Sequence, residues 1–462
     1  MWPKYFFLLF LSSLLLFGCA SKRFGKKAKE FDSAGLYVDA ARMYYESVLA
    51  NGNNIESKLG LQRNGQLVLA EKLELFKTQY NNNAYKDAVY AFLDAENYAK
   101  KVNDVGIKLI FPAENQVYFA EMKEHYLSAR YQDAMQALDL EQFSGAELIL
   151  AEVLSIDVAY KDAKQHWITA KYEPIYRNGI QYAENHLYRL AYYSFSEVMA
   201  GSPTYRDVVT RKADALQLAT ITIAVAPFVM PNQMEGPLSQ AFQSKAIAAL
   251  NNLDSPFFKV VIDNGVNSLV GSRLSSQKSV VSNYISQYSQ LIKAKAVLLC
   301  RILKNVETTG VVIKNTKPGY LKREEEYVDS EGLKKKRVVY DKVQYHEHQQ
   351  NNLAELQAEF SLIDVATGNV VVSDVVGMSL NSNVSYATYQ GDIKNLVPGY
   401  WKTIDKFSAE DKVYDTSEKV SALQALLKSN RTIVSASSLM TDVVARAAAQ
   451  LALTVEKYNP EV

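Results

Sequence analysis

One short pattern recurs through the first half of the chain: an aromatic residue, two further residues, then alanine. It occurs as Tyr37-Val-Asp-Ala40, Tyr85-Lys-Asp-Ala88, Tyr131-Gln-Asp-Ala134, Phe143-Ser-Gly-Ala146, Tyr160-Lys-Asp-Ala163 and Tyr188-Arg-Leu-Ala191. Helix-forming residues surround it. In the stretch Ala40 to Leu49, Ala41, Tyr44, Tyr45 and Val48 fall at the three-and-four spacing of one helical face. Breaks such as Asn51-Gly-Asn-Asn54 and Asn81-Asn-Asn83 separate the helices. Alanine lets two helices approach closely while the aromatic ring fills the neighbouring groove. A lone helical hairpin cannot bury its apolar face, so such units must stack to be stable. The 30 tyrosines then need no special explanation: by helical spacing most belong to that core. Some of them, in the pair Tyr192-Tyr193 for example, must face outward, where they serve as contact residues.

This pattern resembles the tetratricopeptide-repeat family, whose repeats carry a small alanine and an aromatic at a turn. The resemblance covers 30–216 and is partial. Intervals such as Tyr37 to Tyr85 exceed the family's period of about 34 residues, and the family's Trp, Leu-Gly and closing Pro are mostly missing. It implies a concave surface for protein partners; a spacer holding the second half away from a membrane is the other reading. His125, His166 and His186 stand singly among the helices, as packed or surface residues rather than ligands.

Near residue 220 the pattern changes. Ala219 to Phe228 is continuous, apolar and rich in β-branched residues, the composition of a buried strand. A helix over Leu238 to Leu250, a strand over Phe257 to Asp263, a helix over Val280 to Ile292 and a strand over Ala296 to Leu303 follow. That alternation builds a sheet with helices packed on it. The charged stretch 304–350 reads as an inserted, partly exposed hairpin with its tip near Asp329-Ser-Glu-Gly332. A second hairpin joins Leu356–Asp364 to Val370–Val376 through Ala366-Thr-Gly-Asn369, whose glycine suits a tight turn. A loop at 389–398 comes next, and helices over Glu418 to Lys428 and Ser437 to Lys457 close the domain. The fold class is therefore α plus α/β: a tetratricopeptide-like helical-hairpin solenoid, then an α/β sandwich domain over 220–457 carrying the 304–350 insert.

The strand ending in Ala226-Pro-Phe228, the strand ending in Ile363-Asp364 before Thr367-Gly368, and the closing amphipathic helix are similar to those of an envelope group. That group includes the curli-secretion channel lipoprotein, the lipoprotein activators of penicillin-binding proteins and the N-terminal domain of the Tol-system β-propeller protein. The resemblance implies a non-enzymatic module that binds partner proteins. Some members instead oligomerise and lend strands to a transmembrane barrel, whose hairpins alternate apolar and polar over about ten residues; 304–350 is too charged at its centre for that.

At the N-terminus, Lys4 precedes the apolar run Tyr5 to Phe17, the length of a signal-peptide core and too short to span a bilayer. Leu16-Phe-Gly-Cys19 resembles the bacterial lipobox. It implies a signal peptide over 1–18, cleavage before Cys19 and acylation of Cys19. Two or three acyl chains anchor stably at about 0.8 kcal/mol per buried methylene. Ala20, where an aspartate would retain the protein in the inner membrane, implies the outer membrane, facing the periplasm. Residues 19–29 then form an acylated linker with five basic side chains and no acid from Ser21 to Lys29, either solvated or touching phosphate head groups.

Composition narrows the remaining choices. With 51 basic and 50 acidic residues the net charge is +1, which gives no reason to expect nucleic acid as a partner. Of two cysteines, Cys19 is consumed by lipid and Cys300 lies in an apolar run, so no disulfide framework exists. His346-Glu-His348 places two imidazoles on one strand face but brings no third ligand. Phosphate-loop, nucleophile-elbow and zinc-protease patterns are absent. No catalytic, cofactor or metal residues are assigned, and Cys19 alone is a site. The expectation is an outer-membrane lipoprotein that scaffolds an envelope assembly through both domains. A subunit of an oligomeric secretion pore, built by self-association, is the first alternative; a cell-wall enzyme is the last.

Overall fold

The computed structural model describes residues 20–230, 235–266 and 278–461. Cys19 and the apolar run before it lie outside them. Helices fill the N-terminal half, and an eight-stranded mixed sheet with its own helices follows. Two compact units divide the chain: one runs to Asn178 and takes in Glu197–Arg206, the other comprises Gly179–Ser196 and everything from Asp207.

The helical region opens earlier than the sequence suggested. Residues 20–33 form α1 rather than a solvated linker. Ser21, Phe24, Gly25, Ala28 and Phe31 recur at helical spacing and turn inward, with Ala28 fully buried, while Lys22, Arg23, Lys26, Lys27 and Lys29 stay exposed. Then come α2 (Tyr37–Ala50), α3 (Ile55–Asn81), α4 (Tyr85–Asp104), α5 (Glu114–Asp139), α6 (Phe143–Ile156), α7 (Ala163–Glu184), α8 (Tyr188–Gly201) and α9 (Val208–Ala219). Four of the connections share one turn. Gly35, Asn83, Glu141 and His186 adopt φ of 74°, 53°, 56° and 61°. The next residue's N–H returns to a carbonyl five positions back: Leu36 to Phe31, Ala84 to Gln79, Gln142 to Ala137 and Leu187 to Tyr182. This is the helix-ending motif that satisfies orphan carbonyls with one left-handed residue. Two residues after each left-handed position stands an aromatic, Tyr37, Tyr85, Phe143 or Tyr188, and three further on an alanine with no exposed surface. The recurring pattern thus marks the start of every second helix. Its period is irregular because the helix before it varies in length: 27 residues in α3 and 22 in α7. Two copies are exceptions: Tyr131–Ala134 lies inside α5, and Tyr160–Ala163 lies in the turn that leads into α7. Close approach is seen directly at Gly60, where a Cβ would sit 2.4 Å from the buried Tyr44 ring.

In the sheet unit, β1 (Ile221–Val225) runs parallel to both β2 (Phe258–Val261) and β3 (Ala296–Thr309). Between β1 and β2 lies α10 (Pro237–Asn251), and α11 (Lys278–Gln287) precedes β3. The carboxylate of Asp263, just past β2, accepts the backbone N–H groups of Gly265, Val266, Lys293 and Ala294 and so ties the two connections together. Alternate residues of β3 face opposite layers: Ala296, Leu298, Cys300 and Ile302 pack toward α10, while Val297 and Leu299 pack toward Val281 and Ile285 of α11.

The stretch 304–350 is a hairpin, though not an insert. β3 and β4 (Ile313–Val328) lie end to end along the single 31-residue strand β5 (Lys334–Asp364), both antiparallel to it. The jog between them falls at Gly310, where a Cβ would meet the Asn351 carbonyl at 2.1 Å. The tip closes at 329–333 with Gly332 at φ 76°. One ribbon therefore starts apolar in the core and becomes charged as it leaves it. Cross-strand pairs Arg323–Asp341, Lys336–Glu324 and Arg337–Glu325 line its outer part. The other edge of β5 carries β6 (Val370–Thr388) after a turn with Gly368 at φ 73°. The expected 389–398 loop is a loop only to Asp392: Leu396–Tyr400 is β7, paired to β4, and β8 (Lys412–Val413) pairs to β7. Tyr345, Ala387 and Leu396 pack there on Leu423 and Leu427 of α12 (Ser417–Lys428). The last helix, α13 (Ala436–Glu456), lays Leu439, Val443, Ala447, Leu451 and Val455 against the main core. No helix among the described residues is long and apolar enough to cross a membrane.

Candidate functional site

The helical unit carries an open apolar cleft of about 260 Å³ between α2, α3 and α4. Val38, Ala41 and Tyr45 come from α2, Leu61 and Val68 from α3, and Tyr98 and Val102 from α4. Arg42, Lys72 and Lys101 stand around it. Each cation is anchored: Arg42 to Asp39 at 2.7 Å, Lys72 to Asp94 at 2.5 Å, and Lys101 over the Tyr45 ring at 4.5 Å. Lys72 also lies 5.8 Å from the centre of the Tyr98 ring. The Tyr98 hydroxyl is buried and finds no hydrogen-bond partner, and burial pushes its pKa up to about 12. The ring of Tyr98 walls the cleft, while its hydroxyl is closed in beside Gly65, where an added Cβ would sit 3.3 Å from it. Chemically the cleft suits an apolar side chain flanked by acceptors or acids; nothing in it resembles a nucleophile paired with a base.

A different tyrosine in the same unit is closed in. Glu173 on α7 accepts Tyr205 Oη at 2.5 Å and Arg177 Nε at 2.8 Å, and pairs with Arg206 Nη2 at 2.8 Å. Burial raises the Glu173 pKa, and the hydrogen bonds from Tyr205 and Arg177 together with the two guanidinium charges more than reverse that, leaving it below the usual 4.5.

Two further clefts in the sheet unit are lined in part by the tail after α13. One, of about 260 Å³, is lined by His186, Tyr188, Lys295, Asp364 and Tyr458 among others. Its polar groups are occupied: Lys295 Nζ donates to the carbonyls of Leu218 and Thr220, and His186 Nδ1 lies 2.8 Å from the Tyr188 hydroxyl. The other, of about 350 Å³, includes Arg189, Tyr193, Phe257 and Glu461.

The residues singled out in the sequence distribute as follows. His346 and His348 stand on β5 with ring centres 6.4 Å apart, and each finds a threonine, Thr316 and Thr388. His348 stacks on Tyr386 at 4.7 Å. No cluster of three His, Cys, Asp or Glu side chains able to hold a metal occurs among the described residues. Cys300 is 3% exposed, and burial with the nearby Glu359 charge raises its thiol pKa far above the usual 9.0. Tyr193 is 55% exposed, and both it and Tyr192 meet the Phe257 ring edge-on. Sequence reading missed Tyr98 and Arg189. Nothing distinguishes Tyr98 among 30 tyrosines. Arg189 carried no signal either: it follows the aromatic of its repeat, a place where Lys86 and Lys161 stand in other copies.

No protein family and no curated protein matches the chain. Among solved structures, the 1.65 Å structure of the hypothetical protein CT253 from Chlamydia trachomatis aligns over 35% of this chain and 72% of its own, at 10% identity and a TM-score of 0.21. At that score the likeness carries no argument about fold or function.

Proposed function

We propose that this chain is an outer-membrane lipoprotein, anchored through acyl chains on Cys19 and facing the periplasm, that scaffolds an envelope assembly by binding proteins. The observation that carries the reading is the α2–α3–α4 cleft, whose apolar floor and rim of Arg42, Lys72 and Lys101 suit a protein segment better than a reacting small molecule. The helical region is read as a tetratricopeptide-like stack, supported by the repeated turn and the buried alanine after each aromatic. The sheet unit is read as a partner-binding module of the envelope group its strand ends resemble. The exposed lysines of α1 stand next to the acylated residue, where anionic head groups would meet them.

Metabolic labelling with a fatty acid tests the anchor: label is expected on the native chain and lost in Cys19→Ser. Crosslinking in intact cells followed by mass spectrometry tests the scaffold. Crosslinks from the cleft residues to other envelope proteins are expected. Crosslinks confined to copies of this chain, through 304–350, would replace the scaffold with an oligomeric pore.

A further inference from the structure

The cleft beside the C-terminal tail contains the least satisfied charged group described in this chain. Arg189 is 9% exposed, at the second position of α8. Its Nη1 donates to the Tyr458 carbonyl at 3.0 Å. Its Nε and Nη2 are shielded from water and have no acceptor. The guanidinium lies over Phe257 and Phe258, 4.9 and 5.3 Å from the ring centres. Rings attract the flat face of a guanidinium and leave its edge unanswered. A buried N–H without an acceptor is costly, the more so on a charged group, and the Nε–Nη2 edge has the fork geometry that matches two carboxylate oxygens.

A carboxylate already stands nearby. Both oxygens of Glu461 accept the backbone N–H of Arg189, at 3.0 and 3.1 Å, at the positive end of α8. The tail thus shows which chemistry this corner accepts, yet leaves the guanidinium edge unused. Around it the cleft of about 350 Å³ offers Leu187, Leu190, Tyr193 and Phe257 as apolar wall and Asn459 as a polar group. Glu456 and Glu461 line the same cleft, so a doubly charged phosphate meets more repulsion than a single carboxylate.

We infer that Arg189 is the anchor of a carboxylate-binding site whose ligand is the free C-terminus of a peptide ending in an apolar residue. The carboxylate takes Nε and Nη2, the last side chain lies against Leu190, Tyr193 and Phe257, and Glu461 swings aside as the internal competitor. The inference deepens the protein-binding reading and rests on it for the kind of ligand. Its test needs no envelope partner, so the two can fail separately.

The test is calorimetric titration of the full-length chain in detergent with acetyl-Gly-Gly-Leu as free acid and as C-terminal amide. The acid is expected to bind on the order of tenfold more tightly. Arg189→Gln should abolish that preference. Should Arg189→Gln fail to melt cooperatively, Tyr193→Ala, at an exposed position, is expected to weaken the acid while leaving the fold intact. Glu461→Gln should bind the acid several-fold more tightly, a gain that a purely structural arginine does not produce. Equal affinity for acid and amide, or no binding of the acid at millimolar concentration by the folded protein, overturns the site. Displacement of the acid by inorganic phosphate as effective as that by acetate overturns the assignment to a carboxylate.

Discussion

Lys342 and Arg189 are both basic side chains buried in the sheet unit, and the chain around each treats it differently. Lys342 of β5 is 3% exposed in its side chain, yet its ammonium has three protons and three acceptors. It donates to the carbonyls of Thr403 and Lys406, each at 2.7 Å, and pairs with Asp411 at 2.7 Å, while Phe407 lies over it. The segment 401–411 is wound around that ammonium. Arg189 has five donors, of which the chain answers one through Nη1 and leaves Nε and Nη2 dry. The helical unit repeats the contrast without cations. Tyr205 is spent on Glu173, whereas the Tyr98 hydroxyl is spent on nothing. A buried polar group that is fully answered builds the fold. One that is left open stores a binding preference, because the penalty of burial has been accepted without its return.

The largest effect is expected where the answer is most complete. Lys342→Met keeps the length of the side chain but takes the ammonium from the Thr403 and Lys406 carbonyls and leaves the Asp411 carboxyl, which the lysine's hydrogen bond now holds below the usual range, with only the N–H groups of Lys402 and Ser408. The 401–411 segment should detach from the ribbon. Limited trypsin digestion checks this: cleavage after Lys402 and Lys406 should accelerate on the order of tenfold, while cleavage in α3 is unchanged. Unaltered digestion would mean the loop is held by its backbone, and the contrast with Arg189 would lose its meaning.

Tyr205→Phe comes next. It removes one donor from the buried Glu173 and leaves both arginines, at a cost of about 1–3 kcal/mol in urea unfolding at neutral pH. The same variant has a pH signature. Glu173 titrates below its ordinary 4.5 in the folded chain, so its stabilising contribution is complete above that value and disappears as pH falls through the lower, folded pKa. With the Tyr205 donor gone the folded pKa rises toward 4.5, and the acid unfolding midpoint should move to higher pH. A midpoint that stays in place would assign acid sensitivity to other carboxylates.

How far all this could be read in advance depended on the kind of pattern involved. The starts of α2, α4, α6 and α8 were legible because an aromatic followed three positions on by an alanine stands out in a sequence, though the same pattern at Tyr131 falls inside a helix. Strand positions over Ile221, Phe258 and Ala296 were legible from apolar β-branched runs. The end-to-end placement of β3 and β4 was not, since the charge of 304–350 marks that stretch as an insert and only pairing to the single strand β5 shows the jog at Gly310. The packing of α1 was missed because five cations dominate Ser21 to Lys29, although Phe24, Ala28 and Phe31 carry the helical period beneath them. The open hydroxyl of Tyr98 and the open edge of Arg189 were invisible for a deeper reason. Satisfaction of a polar group depends on what lies across the fold from it, and sequence spacing holds no record of that.

Tyr98→Phe should have the smallest effect on stability, and of opposite sign to Tyr205→Phe. Its hydroxyl is buried and unanswered, so deleting it removes a desolvation penalty and breaks no bond; the expected change is between zero and about 1 kcal/mol of stabilisation. The ring remains, and with it the contact to Lys72 and the cleft wall. Because the cleft wall is unchanged, crosslinks that reach α2, α3 and α4 should persist in the same variant while its melting temperature holds or rises. A destabilised Tyr98→Phe would mean that the hydroxyl has an acceptor after all, and the distinction between the two tyrosines would collapse.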